Sequence, residues 1–451
     1  MGDLFLRNIT LDGKQVDIMI AGGKIAAIRP AGFFAAAQND EGFVMADKGF
    51  VMADKSFVMD DKGAEEILDC TGKTASPAFV NMHTHAAMSL LRGVGADLVL
   101  SDWLDHIWSI EAHIDEPFVL RASRVAALEM IKTGTATFND MYWHSPMTRL
   151  AAAEAGLGCL ISYTFLDNFN EETAEKQKDE CQIIHETSRG WGAREKFAVS
   201  IHSVYTVSEP LILWVTEYAR KNGLRIHLHV AETEQEVIDC KANHGGLSPV
   251  EYFDSLGVLG PDVIAAHALW LSEKDVEILG ARGVSCVHNI NSNLKLASGI
   301  RFLCKELMDA GANICLGTDG CASSNNLDIL EAMKTTAIVS KGWRRDPTSL
   351  PLQDLLDMAT VNGGKALGVK TGRIEEGWDA DIQIIDTDNT FFLSPAPFLA
   401  NLVYSAHSDC VSSLVSGGRL VMRDRTVPGE EEILEGGREA LSFIANIRNN
   451  S

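Results

Sequence analysis

Residues 76–85, SPAFVNMHTH, decide the fold more than any other stretch of this chain of 451 residues. The apolar run AFV opens a strand, and His83 and His85 follow at its end. Because side chains two positions apart in an extended strand point the same way, both imidazoles reach one point beyond the strand. In a parallel barrel that end is the active-site face. The stretch therefore predicts a barrel strand that presents two metal-binding histidines, with two solvent-facing histidines as the alternative.

The same placement of a polar residue recurs at three later apolar runs. His229 ends LRIHLHV and is followed three positions later by Glu232, His267 ends DVIAAH, and Asp319 ends ANICLGTD. Three imidazoles and a carboxylate suit Zn²⁺ or a similar first-row ion better than Ca²⁺ or Mg²⁺, which prefer oxygen ligands. We therefore predict one divalent metal ion, with Zn²⁺ favoured and Fe²⁺ or Mn²⁺ as alternatives. Its predicted ligands are His83, His85, His229 and Asp319.

Strands and helices alternate from about residue 74 to residue 371. Apolar runs such as GTATFND and GVSCVHN are separated by amphipathic segments such as PFVLRASRVAALEMIKTG. This alternation predicts an α/β fold made of βαβ units around a parallel sheet. Seven or eight units in about 300 residues favour a closed (β/α)8 TIM-like barrel over an open doubly wound sheet.

The two ends of the chain carry short apolar runs broken by glycine turns. Examples are LFLRNITLDG near the start and VSSLVSGGRLVMRD near the end. They predict antiparallel strands that pair into one small β-sandwich domain. The predicted division gives residues 1–73 and 372–451 to this domain and residues 74–371 to a metal-dependent hydrolase barrel.

A heptapeptide is repeated within the first of these segments. GFVMADK at residues 42–48 recurs at 49–55 and, as SFVMDDK, at 56–62. Three copies are too few for a coiled coil, so the repeat at 42–62 is interpreted as a duplicated loop. The alternative is that Phe43, Phe50 and Phe57 pack against a partner subunit in a homo-oligomer.

The composition of the chain limits its possible binding partners and its cellular compartment. With 39 Lys and Arg against 62 Asp and Glu, the net charge of −23 disfavours nucleic-acid polymers and anionic membranes and leaves a small-molecule substrate. Nine scattered cysteines without a Cys-x-x-Cys pair indicate a reduced protein, and the first residues lack the pattern of a signal peptide. These features predict a cytoplasmic location.

The other histidines are weaker candidates for the metal and catalytic site. His227 lies one step deeper in its strand than His229 and is interpreted as an interior residue. His202, in AVSIHSVY, is equally consistent with substrate contact and with a structural role. The remaining histidines have no strand-end placement and are interpreted as structural or exposed: His106, His113, His144, His185, His244, His288 and His407.

Several other chemistries lack their motifs. No lysine follows AVSIHSVY to bridge a second metal, so one ion is favoured over two. The H-x-E and P-C-x-x-C deaminase signature, the G-x-S-x-G elbow and the P-loop are absent from the sequence. Serine nucleophile and P-loop mechanisms are therefore excluded.

Taken together, these motifs resemble the amidohydrolase superfamily, in its subtype with one metal. The segments that carry the resemblance are NMHTHAAMSLLRGVGADLVLSDWL, HVAETEQEV, HNINSNLKLASGI and LGTDGCASSNNLDILEAMK. They are similar to the 5-methylthioadenosine/S-adenosylhomocysteine deaminases and their chlorohydrolase relatives. The resemblance implies a hydrolytic deaminase of an aminated purine or purine nucleoside that releases ammonia.

The resemblance also implies roles for individual residues. It makes His83, His85, His229 and Asp319 the metal ligands, and it makes Glu232, His267 and Asp319 catalytic. Glu232 is then the proton-shuttling residue and His267 steadies the developing charge on oxygen. Trp103, Glu111, His202 and Ser323 match substrate contacts, with Glu111 on the ribose hydroxyls.

One departure from the family bears on the substrate. Relatives that accept S-adenosylhomocysteine hold its carboxylate with arginines, whereas no arginine lies between Arg149 and Arg189. We therefore expect a small neutral 5′ group. The alternatives are deamination of guanine or an oxidised purine, hydrolysis of an aminated or chlorinated triazine, and, more remotely, an inactive scaffold homologue.

Overall fold

The computed structural model describes residues 2–32 and 66–450 of the chain. The strands, in chain order, are β1 (Leu4–Leu11), β2 (Lys14–Ala21), β3 (Lys24–Pro30), β4 (Glu66–Asp69), β5 (Lys73–Pro77), β6 (Phe79–Thr84), β7 (Thr135–Met141), β8 (Gly158–Phe165), β9 (Glu195–Ile201), β10 (Ile226–Val230), β11 (Val263–His267), β12 (Ser285–His288), β13 (Asn313–Leu316), β14 (Ile382–Asp386), β15 (Val411–Ser416) and β16 (Arg419–Met422). The repeat at 42–62 lies outside the described residues.

The helices connect and cover these strands. They are α1 (Leu100–Glu111), α2 (Glu116–Lys132), α3 (Ser145–Ala155), α4 (Glu171–Ser188), α5 (Glu209–Asn222), α6 (Glu234–Asn243), α7 (Pro249–Ser255), α8 (Glu273–Arg282), α9 (Ile290–Lys295), α10 (Cys304–Ala310), α11 (Cys321–Ser324), α12 (Ile329–Arg344), α13 (Leu352–Ala359), α14 (Val361–Leu367), α15 (Phe398–Tyr404) and α16 (Glu430–Asn450). Short 3₁₀ turns lie at Ala86–Leu91 and Ser408–Cys410.

Strands β6 to β13 form one parallel sheet in which each strand pairs with the next along the chain. The sheet curves so that its last strand comes beside its first. In the turn after β13, the amide of Asp319 donates to the carbonyl of His83 in β6 at 2.9 Å. Side chains of alternate strand positions, among them Val80, Ile264 and Val287, fill the interior. The prediction of a (β/α)8 barrel is confirmed, and the open doubly wound sheet is excluded.

Strands from the two ends of the chain form a second sheet, the end sheet. Its strand order is β16-β15-β14-β5-β1-β2-β3, with β4 paired to β1. It joins both chain ends, as predicted. The sheet curls so that its two edges approach, and a Cβ added at Gly418 would lie 2.6 Å from the Cα of Gly23. Ile18, Ile382 and Val415 are packed together between its two halves. The curled sheet encloses its own core in the manner of a sandwich.

The division into two units differs from the expectation in detail. β5 belongs to the end sheet, so this sheet reaches Pro77 and passes the expected limit at residue 73. The final helix α16 packs on α2 of the barrel, where Ala440 is buried beside Phe118. Part of segment 372–451 therefore covers the barrel, and the expected limits of the two units stay a prediction.

Two further observations concern the cysteines and the length of the apolar helices. All nine cysteines are free and buried. Within residues 2–32 and 66–450, no helix combines the length and the apolar character that a membrane span requires.

Candidate metal centre and active site

The carboxyl ends of two barrel strands and the turn after a third converge on one point. His83 ends β6 and His85 follows it, and their rings are 4.8 Å apart, while the ring of His229 from β10 lies 5.0 Å from that of His83. Asp319, in the turn after β13, places Oδ1 3.4 Å from Nε2 of His83 and 3.2 Å from Nε2 of His85. The four predicted ligands therefore form one cluster.

Hydrogen bonds at Nδ1 orient each ring of the cluster. The three bonds run from His83 to Nε2 of His227 at 2.9 Å, from His85 to the carbonyl of Met141 at 2.5 Å, and from His229 to the carbonyl of His202 at 2.8 Å. Such contacts fix the tautomer and leave Nε2 free to bind a metal. Nε2 of His83 is buried and has no hydrogen-bond partner.

This donor set fits a divalent metal ion. Two overlapping triads place their donor atoms within 4.8 Å of one another: His83, His229 and His267, and His83, His85 and Asp319. Donors about 2.1 Å from one ion at tetrahedral angles lie about 3.4 Å apart, which matches the histidine to Asp319 separations. An unpartnered buried imidazole nitrogen beside a carboxylate is otherwise costly. A bound divalent ion removes that cost.

Burial sets the protonation states of the cluster. It lowers the pKa of His83 to about 4 and that of His229 well below its usual value, so both rings are neutral and able to bind a metal. Burial also acts on His85, but the carboxylate of Asp319 outweighs it and raises the pKa of His85 to about 9. For Asp319, burial is likewise outweighed by His83 and His85, which hold its pKa well below the usual range.

Glu232 and His267 lie beside the donor cluster. Nε2 of His267 is 3.6 Å from Oε2 of Glu232 and 3.9 Å from Oδ2 of Asp319, so it faces two carboxyl groups. Oδ1 of Asn293 lies 2.9 Å from Nδ1 of the same ring and holds its orientation. Burial raises the pKa of Glu232. The two side chains therefore lie together next to the cluster.

The backbone turns sharply at these strand ends. Ala231, His267 and Asp319 have φ values of +49°, +73° and +66°, in the left-handed region that non-glycine residues rarely adopt. Such conformations persist where surrounding contacts hold them, and they gather at functional sites. Here the turns direct side chains from strand ends into a common space.

That space is a cavity beside the donor cluster. All four residues matched to substrate contacts line it, together with Glu232, His267 and Asp319. Trp103 is 6% exposed, and its indole Nε1 is buried without a hydrogen-bond partner. Trp143 Nε1 donates to Oε2 of Glu111 at 3.3 Å, while Oε1 of Glu111 is buried without a partner. Both groups are thus available to a ligand.

The predictions for His227 and His202 can now be compared with their positions. His227 is fully buried and bonded to His83, as expected for an interior residue. His202 lines the cavity, with Nδ1 2.9 Å from Oγ1 of Thr206, and burial lowers its pKa to about 3. His202 therefore borders the cavity, and its role in substrate contact stays a prediction.

Several wall residues were missed by the sequence reasoning: Met88, Leu104, Trp108, Tyr142, Trp143, Tyr205 and Leu296. Tyr142 and Trp143 directly follow β7, so the strand-end rule that found His83 and His85 applies to them too. Trp108 lies on α1, and its helical position gives no comparable signal.

A second, wider cavity adjoins the first and shares the walls formed by Trp108, Glu111, Tyr142, Trp143 and Thr164. Its lining includes Glu116 and Glu180. Among the described residues that line it, none is a lysine or an arginine. A ligand that extends out of the first cavity into this chamber therefore meets carboxylates and no lysine or arginine among the described lining residues, whose basic side chain is His144.

Comparisons with known proteins agree with this geometry. The 5′-deoxyadenosine deaminase of Methanoregula boonei is 43% identical over 373 residues, which cover 82% of this chain and 84% of that protein. The 5-methylthioadenosine/S-adenosylhomocysteine deaminase of Thermococcus onnurineus is 42% identical over 366 residues, which cover 81% of this chain and 86% of that protein.

Solved structures give the same result. An adenosine deaminase from Xanthomonas campestris with bound zinc superposes with a TM-score of 0.87 at 28% identity, and the match covers 99% of each chain. An atrazine chlorohydrolase from Arthrobacter aurescens in complex with zinc shares the fold, with a TM-score of 0.84 at 19% identity over 97% of this chain and 100% of that one. The model of the amidohydrolase family matches residues 74–421. The chain therefore belongs to the amidohydrolase family.

Proposed function

We propose that this enzyme is a zinc-dependent deaminase that hydrolyses the ring amine of an adenosine-type nucleoside with a small neutral 5′ group and releases ammonia. One observation carries the proposal: the Glu232 and His267 pair and three of the four metal donors line a single cavity, which the proposed substrate-contact residues also line. The deaminase relatives act on nucleosides by name, and their similarity supports this substrate class.

The donor cluster holds one metal ion in the proposed enzyme. His83, His85, His229 and Asp319 hold the ion, and Zn²⁺ suits this imidazole-rich donor set. When bound, such an ion supplies a water nucleophile that is active near neutral pH. Ser292 Oγ donates to Oδ2 of Asp319 at 2.7 Å and so limits rotation of that carboxylate.

Glu232 and His267 handle protons and charge. Burial raises the pKa of Glu232, so its carboxyl group holds a proton at higher pH than an exposed glutamate does. Glu232 gives that proton to the ring nitrogen next to the amine-bearing carbon, as a general acid does. His267, with its Nε2 directed to the same space, stabilises the negative charge that develops on oxygen at that carbon.

Two further residues position the nucleoside. The unpartnered Nε1 of Trp103 offers a buried hydrogen-bond donor, and the unpartnered Oε1 of Glu111 offers an acceptor. A carboxylate accepts hydrogen bonds from a pair of ribose hydroxyls. His202 and Ser323 complete the proposed contacts from two other walls of the cavity.

The second chamber supports the preference for an uncharged 5′ group. With the ribose on Glu111, a 5′ substituent extends towards the chamber that shares this residue. The carboxylates of Glu116 and Glu180 lie there, and the described lining contains no lysine or arginine. The carboxylate of S-adenosylhomocysteine therefore finds no lysine or arginine to pair with, so this compound is the weaker substrate. The nine free thiols support a reducing compartment, the cytoplasm.

Ammonia release from a defined panel tests the proposal. The panel comprises adenosine, 5′-deoxyadenosine, 5′-methylthioadenosine, S-adenosylhomocysteine, guanine and a chlorotriazine. We expect the highest kcat/KM for a nucleoside with a neutral 5′ group. Preferred turnover of guanine or the triazine would replace the proposed substrate class.

A further inference from the structure

Glu236 binds the backbone that carries Glu232. It is 7% exposed and lies in the first turn of α6. Its Oε1 accepts from the amide of Ala231 at 2.8 Å, and its Oε2 accepts from the amide of Glu232 at 2.8 Å. One buried carboxylate thus occupies two successive amides at the turn between β10 and α6.

This arrangement departs from ordinary helix capping. Thr233 caps α6, and its side chain accepts from the amide of Glu236. In the capping boxes of α7 and α8, the third helical residue, Glu251 or Asp275, returns to the amide of its own N-cap serine. Glu236 holds the same position in α6 but reaches past the cap to the two residues before it. Starting the helix does not explain that contact.

The turn that Glu236 holds is the one with a left-handed alanine. Ala231 has a φ of +49°, a conformation that costs energy for any residue with a Cβ. The carbonyl of Ala231 also accepts from the amides of Leu269 and Trp270, at 3.1 and 3.0 Å. These amides belong to the loop that follows His267. Ala231 is therefore held on one side by α6 and on the other by the segment that carries His267.

We propose that Glu236 is a positioning residue, which fixes the carboxyl group of Glu232 opposite His267 by holding the Ala231 turn. The inference rests on the proposed function, in which Glu232 carries the proton. The strand direction alone would not turn Glu232 towards Nε2 of His267, 3.6 Å away. A carboxylate suits this task because it offers acceptors to both amides, whereas a glutamine amide offers only one.

The test uses Glu236→Gln, Glu236→Ala and a matched control in the full-length metal-loaded enzyme. The control is Asp275→Asn, which alters a carboxylate that is 1% exposed and caps α8 in the usual way. Displacing a catalytic group by about 1 Å costs about 100-fold in rate. We expect kcat to fall about 10-fold in Glu236→Gln and about 100-fold in Glu236→Ala, with KM within about threefold of wild type and metal content unchanged.

In Asp275→Asn we expect a lower Tm and an unchanged kcat. Wild-type kcat in Glu236→Gln and Glu236→Ala would overturn the inference, and so would a loss of kcat matched by an equal loss in Asp275→Asn. Crystal structures of wild type and Glu236→Gln give a readout that does not depend on the substrate. A Glu232 carboxyl group that keeps its place opposite His267 overturns the inference, whereas failure of the wild-type enzyme on every nucleoside overturns only the proposed function.

Discussion

Nε2 of His267 lies 3.6 Å from Oε2 of Glu232, and both groups border the cavity that three of the four proposed metal donors also line. The two residues come from the ends of neighbouring strands, β10 and β11, which pair in parallel. In the proposed mechanism, their contact joins the group that carries a proton, Glu232, to the group that stabilises negative charge, His267. Hydrolysis of an amine from a ring carbon requires both functions.

Removing the proton from this pair should stop turnover. Glu232→Gln keeps the shape of the side chain but cannot carry the proton, so we expect kcat to fall by about 10² to 10⁴. Metal content should stay at the wild-type level, because Glu232 is not among the proposed ligands. Glu234→Gln, an exposed change two residues away, is the control and should leave both unchanged. Full activity in Glu232→Gln would rule out its assigned role.

Metal binding should release a proton from His85. The pKa of His85 is raised to about 9 in the metal-free protein, so this ring is protonated at pH 7, whereas His83, with a pKa of about 4, is already neutral. A metal must displace the proton of His85. We expect about one proton released per ion at pH 7, falling towards zero above about pH 9. Affinity should rise with pH over the same interval.

Isothermal titration of the metal-free protein in buffers of different ionisation enthalpy measures this proton count directly. Binding enthalpies that do not depend on the buffer at pH 7 would contradict the expected protonation of His85.

The close packing of Gly317 against the metal centre gives a third prediction. A Cβ at this position would lie 2.5 Å from Oδ1 of Asn289 and 2.9 Å from the backbone nitrogen of His83. Gly317→Ala must therefore displace His83 or the turn that carries Asp319, and we expect metal affinity to fall at least about 10-fold. Gly342→Ala, where a Cβ would meet nothing within 4 Å, is the control and should bind metal normally. Equal affinity in both variants would show that the packing at Gly317 is not critical.

The chamber beside Glu111 gives a prediction about substrate charge. We expect kcat/KM for S-adenosylhomocysteine to be at least about 10-fold below that for 5′-methylthioadenosine, because the described lining offers a carboxylate tail no lysine or arginine. Ile183, on α4, lines this chamber and is 67% exposed. Ile183→Arg should reduce the ratio between the two kcat/KM values about two- to fivefold, the range expected for an exposed ion pair.

Ile238→Arg, at a helix position that is 52% exposed and does not line the chamber, serves as the matched control and should leave the ratio unchanged. A ratio that shifts equally in both variants would assign the effect to overall charge, and a wild-type enzyme that prefers the carboxylate-bearing substrate would contradict the account of the chamber.

The strand-end residues were predictable because their signal is local. In β6 the two-residue period of a strand places His83 and His85 on one side, and the strand direction places them at the barrel mouth. The barrel itself followed from the alternation of apolar runs and helical segments. Neither inference needs a contact between distant parts of the chain.

Features that depend on distant contacts could not be predicted in this way. The Trp143 bond to Glu111 joins residues on two separate elements, and the chamber exists only where α1, β8 and α4 meet. Likewise, α16 was assigned with the chain ends because of its place in the sequence. Its buried Ala440 finds its partner on the barrel, beside Phe118 of α2.

The proposed function requires a single divalent ion and Glu232 to act together in deaminating a nucleoside. One experiment measures both requirements. Elemental analysis of the purified enzyme is combined with measurement of ammonia released from 5′-deoxyadenosine, before and after removal and return of Zn²⁺. We expect one bound ion per chain, ammonia release that disappears with the metal and returns with Zn²⁺, and release at least about 100-fold slower by Glu232→Gln that still binds the metal. An enzyme without metal that releases ammonia, or a zinc-loaded wild-type enzyme that releases none from any nucleoside, would contradict the proposed function.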